Sequence, residues 1–182
     1  MAKINPRGMS QGDLVRLLDR ATGTLWIPAG HFNLQPTSTE VLVGGTIPTA
    51  ISFDASSDEN ACANVYIPAD VDCSVAMSAY IYYSAVSTSG DVTFDIDYVS
   101  IASGEDVGAA VTDVAGTATT TDGTADVLEI SSAYSIAADA CANGDVLFLN
   151  VRRDVSAADD LSGDADMYGV RIDYTTRPSV KE

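Results

Sequence analysis

Two runs of the chain alternate apolar and polar residues with a period of two: Val75-Met77-Ala79-Ile81-Tyr83 and Val92-Phe94-Ile96-Tyr98. That period puts each apolar set on one face of a β-strand. Asp91, Asp95 and Asp97 fall on the opposite face of the second run, which is therefore expected to be wet. The same reasoning predicts strands at Glu40–Gly44, Ala50–Phe53, Ala61–Ile67, Ser74–Tyr83, Val92–Ile101, Val107–Val111, Ala125–Ile130, Asp145–Arg152 and Met167–Thr175. Clusters of Gly, Ser, Thr, Asn and Asp separate them, as at 87–91, 119–124 and 143–145, and these residues favour turns. Short strands with no helical intervals exclude a parallel α/β sheet. They predict an all-β protein, an antiparallel β-sandwich of jelly-roll type. The low-complexity stretch Val107–Thr124 is expected to be an exposed surface loop, with a β-hairpin as the alternative.

The period differs only near the start. Ser10 can cap a short helix with Asp13 three residues on, and Leu14, Leu17 and Leu18 supply an apolar stripe. Arg16 and Arg20 lie on or beside its polar side, and Gly23 can end it. The expected organisation is an N-terminal arm over residues 1–24, a β-sandwich over 25–177 and a tail over 178–182.

Charge sharpens this division. The 182 residues carry 26 Asp plus Glu against 9 Lys plus Arg, a formal net charge of −17. Lys3, Arg7, Arg16 and Arg20 all sit in the arm, so the body is more acidic than the whole. Such a charge repels nucleic acid and anionic lipid, and neither is an expected partner. Hydrophobic residues make up 46% of the chain, which opposes disorder. The N-terminus lacks the apolar core of a secretory signal, and no apolar run is long enough for a membrane-spanning helix. Asp outnumbers Glu and Arg outnumbers Lys, a surface suited to high salt and to a halophilic host.

Catalytic chemistry finds little support. His31 is the one histidine, in a turn-like Pro-Ala-Gly context, and no metalloprotease, serine-hydrolase, phosphate-loop or dinucleotide motif occurs. No enzymatic activity and no cofactor are expected. The densest acidic run, from Asp154 to Asp166, reads as a hydrated inter-strand loop. Calcium is the alternative there, with Asp159, Asp160, Asp164 and Asp166 as candidate ligands, although the spacing is not that of an EF-hand. Cys62, Cys73 and Cys141 read as small semi-buried thiols, with a single Cys62–Cys73 disulfide as the alternative. Arg153 is expected to pair with a nearby aspartate, and Trp26 to pack in the core.

Several segments taken in order carry a resemblance. Trp26-Ile-Pro-Ala-Gly30 is followed by Ile51-Ser-Phe-Asp-Ala-Ser-Ser-Asp-Glu-Asn-Ala61. Gly144 through Asp154 then precedes Asp159-Asp160, Asp164-Ala165 and Gly169-Val-Arg-Ile-Asp-Tyr174. This order resembles a group of structural proteins of tailed phages and archaeal tailed viruses. The resemblance implies a β-sandwich virion component and brings no catalytic residue; with no secretory or membrane-spanning segment read from the sequence, assembly in the host cytoplasm is expected.

The expected function is accordingly a capsid decoration, spike or turret protein. Its expected partners are the major capsid protein or other virion proteins and copies of itself, as a trimer or a pentamer. The alternatives are a tail or baseplate component and a carbohydrate-binding, receptor-binding β-sandwich. For the latter, Tyr80, Tyr82, Tyr83, Tyr98 and Tyr134 could form an aromatic platform.

Overall fold

A computed structural model describes residues 21–34, 39–43, 47–156 and 158–177. The expected helix at 10–20 lies outside the described residues. In chain order the strands are β1 (Thr22–Pro28), β2 (Asn33–Leu34), β3 (Thr39–Val43), β4 (Ile47–Phe53), β5 (Glu59–Tyr66), β6 (Met77–Ala85) and β7 (Asp91–Val92). They continue with β8 (Phe94–Ile101), β9 (Thr112–Val114), β10 (Thr119–Thr120), β11 (Glu129–Ile130), β12 (Tyr134–Ile136), β13 (Val146–Arg153) and β14 (Ala165–Thr175).

These strands form an antiparallel β-sandwich. One sheet runs β11-β6-β14-β4-β3, with β12 also on β6 and β1 also on β14; the other runs β2-β5-β13-β8-β9. The alternation fills the space between them. Met77, Ala79, Ile81 and Tyr83 from β6, with Met167, Val170 and Ile172 from β14, face Phe94, Ile96 and Tyr98 from β8 and Leu147, Leu149 and Val151 from β13. Phe94 meets Phe53 and Tyr83 edge to face, at centroid distances of 5.8 and 5.4 Å. Aromatic pairs prefer this geometry because the ring edge is positive and the face negative.

Several expectations need correction. Val107–Val111 forms no strand, and only Thr112–Val114 and Thr119–Thr120 pair within the low-complexity stretch. Asp95 is not wet, being 3% exposed. The loop after β9 crosses over it, so that Gly116 N donates to Asp95 Oδ1 at 2.7 Å while Arg152 pairs with the other carboxylate oxygen. β1 lies outside the predicted strands and pairs along β14 from Thr22 opposite Thr175 to Pro28 opposite Gly169.

The β14–β6 register shifts between Met167 and Gly169. One extra residue on β14 reverses which parity points inward. Ala165 and Met167 are buried before the bulge, whereas Val170 and Ile172 are buried after it. Tyr168 and Arg171 thereby reach the same outer face.

Candidate functional site

The outer face of the β14 sheet carries the aromatic platform. Trp26 on β1, Arg171 on β14 and Tyr80 on β6 occupy one cross-strand row. Tyr82 and Ile130 form the next row with Gly169. Trp26 is 49% exposed rather than buried, which corrects its expected core role. Its indole meets Tyr82 edge to face at 5.2 Å, with the planes at 88°. Gly169 makes room for it. A Cβ there would stand 2.5 Å from Ile27 O and 2.8 Å from the indole, and the φ of +154° further favours glycine. The ring therefore lies against the bulge and leaves indole surface open to solvent.

Arg171 supplies the polar counterpart. Its guanidinium stacks 4.5 Å from the Tyr80 centroid, donates to Tyr82 Oη and pairs with Asp173 at 3.3 Å. Arg171 Nε is buried with no hydrogen-bond partner. Thr24 Oγ1 donates to Asp173 Oδ1 at 3.0 Å, and Ser84 Oγ lies 2.9 Å from Tyr168 Oη. Asp166 extends the same face. Desolvation, then the charges of Asp164 and Asp126, holds its carboxyl above the usual range against a hydrogen bond from Ser52. Aromatic planes beside fixed polar groups suit a ligand whose rings are apolar on their faces and hydroxylated at their edges.

Of the five tyrosines expected to form a platform, Tyr80 and Tyr82 do so. Tyr83, Tyr98 and Tyr134 point inward instead. Tyr134 Oη donates to Phe94 O at 2.8 Å and Tyr98 Oη accepts from Ala137 N at 3.0 Å, so each hydroxyl is satisfied inside. Burial is the main reason that the Tyr83 and Tyr134 hydroxyls are driven above their ordinary pKa.

The opposite sheet bears a second surface. Asn33, Cys62, Asn150, Asp97 and Asp113 form a register row across β2, β5, β13, β8 and β9. Asn150 links it by donating to Asn60 Oδ1 at 3.2 Å and Asp97 Oδ2 at 2.9 Å, while accepting from Cys62 Sγ at 3.3 Å. Beside the row, Phe148, Val99 and Val111 line a cavity of about 370 Å³. Most of the polar groups here already bond one another, which leaves the apolar edge as the part open to a ligand.

The candidate calcium residues do not converge. Asp159 pairs bidentately with Arg153 at 2.8 and 2.9 Å and accepts from Thr93 N. Asp160 accepts from Asp91 N at 2.6 Å, and Asp166 lies on the outer sheet face. Among the described residues no group of three or more His, Cys, Asp or Glu is placed to hold a metal ion. Arg153 pairs with an aspartate as expected, and the pair is buried rather than at the surface. The parity of β13 carried the signal, because Leu147, Leu149 and Val151 point inward and 153 is next in that series. The three cysteines are thiols; Cys62 faces outward beside Asn150, so the alternative Cys62–Cys73 disulfide does not form, and Cys73 lies against Cys141.

Fold and surface together define an antiparallel β-sandwich with an exposed aromatic face. Comparison with known protein families and with curated proteins returns no match. Among solved structures the chain is similar to isomalto-dextranase of Arthrobacter globiformis T6 complexed with panose, with 14% identity and a TM-score of 0.53 over 82% of this chain and 23% of that one. The chain thus spans about a quarter of that enzyme's length. It also aligns with the CBM22-2 xylan-binding domain from Paenibacillus barcinonensis, at 9% identity and a TM-score of 0.49 over 80% and 92% of the two chains. A third similar structure is the enzymatically active domain of bacteriophage CBA120 tailspike protein 4, at 7% identity and a TM-score of 0.41 over 87% and 20%. At these identities the likeness is one of fold.

Proposed function

We propose that this chain is a non-catalytic carbohydrate-binding β-sandwich that takes a neutral glycan on the Trp26–Tyr82–Arg171 face. The observation that carries the reading is the half-exposed Trp26 ring, held over Gly169 and against Tyr82 beside a donor-bearing guanidinium. A sugar ring stacking there would cover indole surface that is otherwise left in water. Arg171 is countered by Asp173 within a chain of charge −17, so an anionic polysaccharide would meet a repulsive field. On a virus particle, the setting implied by the sequence resemblance, the same face would hold host-surface glycan.

Trp26 is the only tryptophan in the chain, so intrinsic fluorescence reports directly on this face. An array of neutral oligosaccharides, with sulfated and uronic controls, should return neutral ligands that shift its emission. Trp26→Ala should weaken binding about 30-fold, the cost of removing a central aromatic anchor. Phe148→Ala on the other sheet should leave affinity within about threefold, as expected of a residue outside the contact. Absence of binding to any sugar overturns the function. Loss of binding in Phe148→Ala with Trp26→Ala unaffected overturns the site.

A further inference from the structure

We propose that Cys73 and Cys141 form a redox-dependent covalent staple between the two crossover segments at one end of the sandwich, closed by a small-molecule disulfide such as oxidised glutathione. The two thiols lie 68 residues apart in sequence, yet Cys141 Sγ is 2.9 Å from Cys73 Sγ. Both cysteines are thiols in this structure.

The surrounding backbone brings them together. Cys73 lies in the segment before β6, which Asp72 N joins to Thr175 O at the end of β14. Cys141 lies in the crossover that runs from β12 on the same sheet to β13 on the other. The two segments are zipped side by side: Ile67 N donates to Asp145 O at 3.0 Å, Gly144 N to Ile67 O at 3.0 Å and Asp139 N to Cys73 O at 2.7 Å. Asn143 Nδ2 adds bonds to Pro68 O and Val71 O at 2.7 and 2.9 Å. The chain entropy of bringing the sulfurs into contact is thus already spent in the reduced fold, and a bond there chiefly restricts the unfolded chain.

The chemistry balances by thiol–disulfide exchange. Cys141, the more accessible of the two, loses its proton and attacks one glutathione sulfur. A mixed disulfide forms and one glutathione thiolate leaves. The Cys73 thiolate then displaces the second glutathione, so two protein thiols become one disulfide and one oxidised glutathione becomes two reduced molecules. Burial, reinforced by the Cys73 thiol beside it and the Asp145 charge, pushes the Cys141 thiol up to about 12. Closure should therefore be slow at neutral pH and keep accelerating about tenfold per pH unit past the ordinary thiol range, following the thiolate fraction.

The full chain should be incubated with oxidised glutathione or with a reductant, then digested without reduction and mapped by mass spectrometry. The expected result is a Cys73–Cys141 peptide that has lost two hydrogens, with Cys62 still alkylatable. The midpoint of thermal unfolding should rise by about 10 °C on oxidation, given the long loop closed. Cys62→Ser should keep that rise, and Cys141→Ser should abolish it. Three titratable thiols after prolonged oxidation, a cross-link through Cys62, or an unchanged midpoint despite the Cys73–Cys141 link would each overturn the proposal.

Discussion

Arg153 offers the most demanding test of how this sandwich is held closed. Its side chain is fully buried, and every N–H of the guanidinium has an acceptor. Two go to Asp159, and the others reach Phe53 O at 3.1 Å, Gly163 O at 2.9 Å and Leu161 O at 2.8 Å. One side chain thus ties β4, the end of β13 and the 159–163 loop together. Arg153→Met keeps much of the volume but removes all these donors, leaving a carboxylate that is 2% exposed without its counter-charge. Breaking a buried pair from one side costs about 3–5 kcal/mol, and the three carbonyls put this case at about 4. Asp159→Asn strands the guanidinium charge but keeps one acceptor, for about 3 kcal/mol. For a chain of this size the first change should lower the unfolding midpoint by about 12 °C. Urea unfolding at constant m-value measures both, and the double variant should cost about 2 kcal/mol less than the sum because the partners share one interaction. A single-variant cost below about 1 kcal/mol, or strict additivity, would refute the assignment of this pair as the closure of the sandwich.

Further predictions concern other parts of the fold. Tyr134→Phe should cost about 1–2 kcal/mol in urea unfolding, because it leaves the buried Phe94 carbonyl short of a donor. Asp166, whose folded pKa is raised mainly by desolvation, opposes folding once ionised. Its penalty is present above the folded pKa and relieved as pH falls through that value towards the unfolded one. Asp166→Asn should therefore stabilise the protein at neutral pH and flatten that portion of the pH–stability curve. The midpoint should rise between dilute buffer and molar salt, since salt screens the repulsion of a −17 chain. A flat or falling response would count against the salt-adapted reading of the acidic surface.

Much of the fold was legible because burial on one side of a sheet imposes a period of two. The β6 and β8 alternations put Met77, Ile81, Phe94 and Ile96 in the core where they belong. The aromatic face was less legible. Tyr80 and Tyr82 follow from the parity of β6; consecutive Tyr82 and Tyr83 must point opposite ways, and the apolar series that ends at Tyr83 takes that ring out of any surface platform. Trp26 looked like core on hydrophobicity, and its exposure depends on a bulge in β14 far along the chain. Asp95 shows the converse: an outward position became buried because a loop folded over it.

The sequence by itself determined an all-β sandwich, an acidic body and the inward face of the main strands. These are set by local alternation and composition, which act residue by residue. Only the tertiary structure decided that Trp26, Tyr82 and Arg171 meet, that Asp159 is the partner of Arg153, and that Cys73 finds Cys141 rather than Cys62. Each depends on strand register or on a loop crossing between distant segments. Such pairings are selected by the packing of both sheets together, and a one-residue shift in register would undo them.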